Sequence, residues 1–439
     1  MRFSLPHPLV LLLSCVVVAV ALTWMLPAGQ YERRLDEVTG RDVVVPGTYR
    51  VVEAAPLGVM AALMTVPRGI VAGADIILTI LLVGGVFALL ESTGALSRLV
   101  GAVVGRSRHP RLVVAGVCLA FSTLGALENM HEEIIAMVPV LLVLSRGLGF
   151  GPITALAMSV GAAVVGAAFG PTNPFQTGIA LKVAQLPALS QPTLRFGLLA
   201  AAVLVWIGWT LVMAGRDERA AAGTAVAPGP ATSRDVMALL LALAPFVPYV
   251  IGVMYYDWGF NELSALFLPV GFAIGLLSGR TLSGTATDYL KAMETMLAAA
   301  LFVGVARSIS VAMQDGLILD TILYGLASPL DQLPGIASAW LMVPIHIVLH
   351  IPVPSVSGHA VLTMPVMAPL ADLLGFSRDA AVIAYQTGAG LADMVIPTNG
   401  ALLAMLLGAG VTYGRWMRFA VPGALLVALV GLVGIVLAG

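Results

Sequence analysis

Charge is scarce in this chain: Asp, Glu, Lys and Arg make up 10% of 439 residues, against about 25% in an ordinary soluble domain. With 59% of the residues apolar, no water-soluble fold has enough interior to hide the remainder. No basic cluster stands beside aromatics and the net charge is −1, which argues against a nucleic-acid partner. There is no phosphate-cradling Walker motif, so ATP is not expected to power the protein. The two cysteines, Cys15 and Cys118, both fall inside apolar runs and read as packing residues. His346 and His350 share one helix face, but the glutamate that a metalloprotease carries beside the first histidine is missing, as is a clear third ligand. They read as core histidines, and no enzyme activity is expected.

What is present is apolar length. Runs of about 17–25 residues cross the hydrocarbon core as helices, and the chain holds about nine of them together with shorter paired runs. The expected class is an all-α membrane protein with about nine full-length transmembrane helices and two re-entrant hairpins. Residues 9–26 follow Arg2 and form the first helix rather than a cleaved signal peptide, since an otherwise embedded chain needs a first anchor. A polar stretch, 28–68, with strand-like segments around Pro46-Gly47, predicts a small extramembrane loop, so 1–70 forms an opening unit.

The first half, 71–214, spans at 73–90 and then shows an amphipathic segment with Arg98, Arg106, Arg108 and Arg111. Arginines so dense in a short loop place it in the cytoplasm. Two short apolar runs around Glu128-Asn129-Met130-His131-Glu132-Glu133 predict a re-entrant hairpin over 112–145, its acidic tip facing protein or a wet cavity. The run 152–184 is too long for one crossing and is cut by Gly170-Pro171-Thr172-Asn173-Pro174, which predicts a broken helix. After a crossing at 198–213, a Gly/Pro/Ala-rich linker, 215–235, divides the chain.

The second half, 236–439, repeats the pattern: spans at 236–255, 263–277 and 297–313, a hairpin over 336–371, a broken helix over 380–408 and a last helix from Phe419. Its break is Ile396-Pro397-Thr398-Asn399-Gly400. Shifted by 226 residues, 139–173 lies on 365–399 without a gap, with 11 identities in 35 positions. These include Leu148-Gly149-Phe150 on Leu374-Gly375-Phe376 and Pro171-Thr172-Asn173 on Pro397-Thr398-Asn399. A shared apolar bias would scatter Leu and Ala matches, so this reads as an internal repeat. The basic residues put the N-terminus in the cytoplasm and the C-terminus outside, in a cell inner membrane. The repeats then run in opposite directions, as in many secondary transporters.

Pro171 and Pro397 each stop a half-helix and free its carbonyls. Asn173 and Asn399 suit the N-cap of the half-helix that follows. Each break thus offers oxygens for a cation and N–H groups for an anion. Candidates for the solute are Thr172, Asn173, Thr398 and Asn399 at the breaks, Ser355 and Ser357 at the second tip, and Arg307, whose charge inside a spanning run needs an acidic partner. Candidates for a coupling ion, Na⁺ or H⁺, are Asn129, Glu132, Pro171, Thr172, Gly358 and Asp393; no other cofactor is expected. Asp393 would serve as the acid for Arg307, as a cation ligand or as a proton carrier. Plain proline kinks, and helix caps at the tips, are the alternatives. A carrier outranks an intramembrane enzyme or a passive channel, because two gated breaks imply one solute per cycle.

Several segments carry a family likeness: Val-Pro-Gly-Thr-Tyr from 45, Gly-Pro-Thr-Asn-Pro-Phe-Gln-Thr-Gly-Ile-Ala from 170, Pro-Ser-Val-Ser-Gly-His-Ala from 354, Thr-Met-Pro-Val-Met-Ala-Pro-Leu-Ala-Asp from 363 and Ile-Pro-Thr-Asn-Gly from 396. The chain resembles the YfcC-type carriers, grouped with the anaerobic four-carbon dicarboxylate carriers (DcuC) in the ion transporter superfamily. The resemblance implies a homodimer, a scaffold domain carrying most dimer contacts, and a transport domain with two hairpins that shifts like an elevator. It also implies a site at Thr172, Asn173, Thr398, Asn399, Ser355 and Ser357. The helix N-termini and Arg307 favour a small carboxylate-bearing solute, while Glu128, Glu132, Glu133 and Asp393 can hold an amine as well, which leaves a dicarboxylate, an amino acid and a peptide-like amine open.

Reporter fusions after Gly223 and after Gly439 are expected to fall on opposite sides of the membrane, cytoplasmic and extracytoplasmic respectively. Both on one side would remove the inverted arrangement.

Overall fold

In a bilayer every backbone N–H and C=O must find its partner inside the protein, which makes helices the spanning element for a chain this apolar. A computed structural model describes residues 7–36, 41–106, 109–187, 189–217, 230–256, 258–332 and 335–439. Among these residues eight helices are long and apolar enough to cross, including Pro8–Met25, Ala74–Ser92, Pro192–Ala214, Leu297–Asp315 and Tyr413–Ala438. The protein is a mostly helical, multi-pass membrane protein. Arg2, Arg108, Arg219 and Gly223, and with them much of the linker 215–235, lie outside the described residues.

Three elements differ from expectation. The single span foreseen at 236–255 is two helices, Ser233–Leu243 and Phe246–Tyr256. Pro245 stands between them and has no N–H to return to the Leu241 carbonyl. The first arm of the first hairpin, Pro110–Glu128, is long enough to cross by itself. It begins at Pro110, a residue suited to a helix start, and ends only at Asn129, whose φ of 61° closes it. The loop foreseen up to residue 68 gives way to the helix Val59–Ala72.

Before that helix, two antiparallel strand pairs form: Gly29–Gln30 with Arg50–Val51, and Arg33–Asp36 with Arg41–Val44. Asp320, on the helix Leu319–Ala327, accepts from Tyr31 N at 2.9 Å and from Arg33 Nη2 at 2.8 Å, which docks this segment. Burial, aided by the neighbouring Asp320 carboxylate, pushes the Tyr31 hydroxyl up to about 12.

The helices gather around two hydrophobic cores. One holds both hairpins and both broken helices, with Phe121, Val165, Met364, Tyr385 and Leu402 among its buried side chains. The other packs Ala74–Ser92, Phe260–Leu277 and Leu282–Glu294 around Phe87, Phe267, Ile274 and Tyr289. The two helix pairs expected as hairpins are Pro110–Glu128 followed by Glu133–Gly147, and Gly335–His350 followed by Val356–Leu374. The first arm of the first hairpin lies flush on the first broken helix: a Cβ on Gly166 would fall 1.9 Å from the Ser122 carbonyl oxygen. Gly149 and Gly375, matched by the 226-residue shift, both turn the chain with positive φ, 87° and 77°.

At the start of Ser233–Leu243, Arg98 grips Asp235 with Nη2 to Oδ1 at 2.6 Å and Nε to Oδ2 at 3.0 Å. Asp235 also accepts from Thr232 N at 2.8 Å in a capping box. The guanidinium beside it holds the Asp235 carboxyl well below the usual carboxylate range. A depressed folded pKa stabilises above the unfolded value, about 3.9, and that stability is lost as the pH falls toward the folded one. Asp235→Asn is therefore expected to lower stability by about 1–3 kcal/mol at neutral pH. The gap to wild type should close progressively below about pH 4 in detergent thermal denaturation; a gap independent of pH would rule out the ion pair as its source.

Candidate functional site

The first broken helix runs Pro152–Leu156, a π turn at Ala157–Gly161, then Ala162–Phe169, and resumes at Pro174 after the break. Asn173 caps the resumption, its Oδ1 accepting from Phe175 N and Gln176 N at 2.9 Å. Its Nδ2 donates to the Gly125 carbonyl at 3.0 Å and to Asn129 Oδ1 at 3.2 Å. Fully buried and with both donors and both acceptor positions used, Asn173 has nothing left for a solute. It ties the first break to the first hairpin tip.

The second broken helix comprises Arg378–Tyr385, a π turn at Gln386–Gly390 and, after the break, Gly400–Gly408. Asn399 caps Leu402 N at 3.0 Å and donates to Asp393 twice, to its carbonyl at 3.1 Å and to Oδ1 at 2.9 Å. The broken helices join through Gln386, whose Nε2 donates to the Ala168 carbonyl at 2.9 Å and to Thr177 Oγ1 at 2.7 Å. Arg195, buried on the neighbouring helix, donates to Gln386 Oε1 at 2.7 Å and to Asp379 Oδ1 at 2.8 Å.

Several carbonyls of the unwound segments are already engaged. Gly170 accepts from Thr177 Oγ1 at 2.6 Å, Met394 from Trp416 Nε1 at 2.8 Å, and Val395 from the Tyr413 hydroxyl. Side chains thus satisfy three of the oxygens that a cation was expected to take.

A cavity of about 290 Å³ opens between the two hairpin tips. The first tip contributes Glu128, Asn129, His131, Glu132 and Glu133; the second, Ser355 and Ser357; the second break, Asp393 and Asn399. Facing them from helices that build the other core are Asp75, Tyr249 and Glu262, with Phe260 and Arg307 alongside. Of the residues named from sequence, the structure brings together Asn129, Glu132, Arg307, Ser355, Ser357, Asp393 and Asn399. Pro171, Thr172, Asn173, Gly358 and Thr398 do not line this cavity. The Thr172 hydroxyl reaches the Ala126 carbonyl at 3.4 Å, and Gly358 N reaches Ser355 Oγ at 3.4 Å as part of the second tip's cap.

Arg307 makes no ion pair among the described residues, and Asp393, one acid considered for it, bonds His350 Nε2 at 3.0 Å instead. Both oxygens of buried Glu128 lack a hydrogen-bond partner among the described residues. Sequence reading missed Asp75, Glu262 and Tyr249. The two acids stand in the first turns of Ala74–Ser92 and Phe260–Leu277, where acids ordinarily serve the helix terminus, so nothing local marks them as cavity residues. A larger cavity of about 510 Å³, beside Glu91 and Pro139, has a mostly apolar lining and no convergent charges.

The chain is a multi-pass membrane transporter rather than an enzyme, as its family shows. The C4-dicarboxylate anaerobic carrier family (DcuC) matches residues 5–439, and the chain belongs to that family. It is 28% identical over 469 residues to YfcC of Escherichia coli K12, named as a candidate basic amino acid antiporter, covering 95% of this chain and 93% of that one. A Haemophilus influenzae Rd protein is 26% identical over 479 residues, with 96% and 94% covered. Two solved structures are also similar. The Alcanivorax borkumensis YdaH transporter has a TM-score of 0.46 and 17% identity, with 98% of each chain covered. Neisseria gonorrhoeae MtrF, from a class of antimetabolite efflux pumps, has a TM-score of 0.44 and 15% identity, covering 99% of this chain and 95% of that one.

Asn173→Ala is expected to cost about 1–3 kcal/mol through the lost cap and tie. Amide exchange should quicken at Phe175, Gln176 and the first hairpin tip while the second hairpin stays protected. Unchanged exchange at that tip would show that Asn173 does not hold it.

Proposed function

We propose that the chain is a secondary transporter for a cationic, amine-bearing solute that also carries a carboxylate, a basic amino acid being the simplest example. Glu128 carries this reading. A buried carboxyl group with neither oxygen partnered among the described residues costs several kcal/mol unless a ligand donor completes it. Five further acids, Asp75, Glu132, Glu133, Glu262 and Asp393, share its cavity, against Arg307 and His131. At an effective dielectric constant of about 20, two unit charges 4 Å apart interact by about 4 kcal/mol. A dicarboxylate would add negative charge to this wall, whereas an ammonium group would neutralise part of it and leave a carboxylate for Arg307. The name of the Escherichia coli relative accords with this choice.

Transport, in this reading, moves the body of hairpins and broken helices against the second core, as in an elevator, within two inverted repeats. The position of the cavity between residues of the two cores supports it. Solute held there would be carried past the helices that contribute Asp75 and Glu262. The arginine distribution supports an inner-membrane location with the N-terminus inside and the C-terminus outside.

Thermal stabilisation of the purified protein by L-lysine, L-arginine, putrescine and succinate, each with and without Na⁺, tests the reading. Basic amino acids should stabilise and succinate should not. Glu128→Gln should weaken lysine binding roughly tenfold, about 1.4 kcal/mol. Arg307→Gln should erase the advantage of lysine over putrescine, which has no carboxylate. Stabilisation by succinate with none by lysine would overturn the proposal, and an ohmic current without counterflow would replace the carrier by a channel.

A further inference from the structure

Three histidines outside the cavity form a line leading away from Asp393. His350 Nε2 lies 3.0 Å from Asp393 Oδ1, His350 Nδ1 lies 3.3 Å from His359 Nδ1, and His359 Nε2 lies 2.8 Å from His346 Nδ1. All three are fully buried, while Asp393 lines the solute cavity. They come from both arms of the second hairpin, so helical spacing pairs only His346 with His350. Among the described residues no three His, Cys, Asp or Glu side chains are placed to hold a metal ion.

The proton count of this line is instructive. A neutral imidazole has one N–H and one lone pair. With Asp393 ionised, His350 Nε2–H donates to it, His359 Nδ1–H donates to His350 Nδ1, and His346 Nδ1–H donates to His359 Nε2. All three contacts are then hydrogen bonds, and His346 Nε2 ends the line as the ring nitrogen with no partner among the described residues. A proton added at Asp393 fits by reversing each tautomer: Asp393 O–H donates to His350 Nε2, His350 Nδ1–H to His359 Nδ1, His359 Nε2–H to His346 Nδ1, and His346 Nε2 carries the last N–H. The line passes from charge −1 to neutral, keeps its three hydrogen bonds and needs no buried imidazolium.

We propose that Asp393, His350, His359 and His346 form a proton-binding site, and that the proton held there is exchanged for the cationic solute. The exchange rests on the cavity reading above; the proton site does not. Because the far end is sealed in the core, the proton enters and leaves at Asp393, inside the cavity the amine occupies. A proton on Asp393 removes a charge that holds the amine, so each weakens the other by the same factor. Facing the line are Tyr385, whose ring centroid is 5.5 Å from that of His346 and whose hydroxyl donates to the Val356 carbonyl, and His131 at the first tip. Asp75, Glu128, Glu132, Glu133, Glu262 and Arg307 face Asp393 across the cavity. On the packed helices, Asp379 pairs with Arg195 and Asp372 with Arg378, at positions remote from the line.

Two measurements test this. The chain has six histidines, so nitrogen-15 spectra of histidine-labelled protein in bilayers can be assigned by single substitutions and read tautomers with no ligand. The resonances of His346, His350 and His359 should reverse tautomer together between about pH 4 and 9, and Asp393→Asn should abolish the change. Tautomers fixed across that range in the wild type would overturn the proton site. In proteoliposomes, His359→Gln should lower L-lysine accumulation driven by an imposed pH gradient roughly tenfold, with L-lysine counterflow kept near the wild-type rate. His346→Gln gives the same test should His359→Gln fail to reach the membrane. Wild-type counterflow without response to the gradient would sink the exchange and spare the transporter; absence of lysine binding would sink the solute assignment, with the spectra still deciding the proton site.

Discussion

Backbone that unwinds inside a membrane must be satisfied by the protein itself, and the two breaks impose that requirement at the centre of this structure. Neighbouring side chains meet part of it. Thr177, Trp416, Tyr413 and Gln386 donate to carbonyls of the broken helices, while Asn173 and Asn399 accept from the N–H groups that follow. Each donor comes with its helix, so satisfying the breaks also settles which elements pack around them. The Arg195, Asp379 and Gln386 network extends this into a buried hydrogen-bonded seam between the two halves.

The same requirement sorts the two asparagines that local sequence makes look alike. Asn173 spends its amide on the first hairpin tip, whereas Asn399 spends its amide on Asp393 and thereby touches the cavity. Two breaks with one motif consequently do different work, one anchoring a hairpin and the other positioning an acid. The asymmetry continues in the tips, acidic in the first and hydroxyl-bearing in the second. A charged solute can therefore be held with its opposite ends in chemically distinct surroundings.

Carboxylates in apolar surroundings are tolerable only where partners or water reach them. Here six of them gather where the two cores meet. The movement proposed for one core along the other would change which of these residues face the solute. The histidine line takes the opposite position, inside one core and behind the second hairpin, where a proton can be stored without changing the packing around it.

Much of the architecture could be read from sequence because membrane helices answer to one-dimensional rules. Apolar run length marked the spans, and Pro-Thr-Asn marked both breaks at their positions in the structure. The boundary at Pro245 and the full length of Pro110–Glu128 were misjudged, since hydropathy averages over a single missing N–H and does not sense where a cap closes a helix. The cavity was legible only in part: Ser355, Ser357, Arg307, Asp393 and Asn399 stood out by their chemistry, while Asp75 and Glu262 resembled ordinary first-turn acids. Sequence alone determined that this chain lives in lipid, breaks two helices and carries acids at one tip, because each of those properties is local. Only the tertiary structure decided that Asn173 is spent on the first tip and does not line the cavity, that Asp393 bonds His350, and that His359 joins two histidines on another helix. Those pairings depend on how helices distant in sequence are rotated against one another, and no local pattern encodes that rotation.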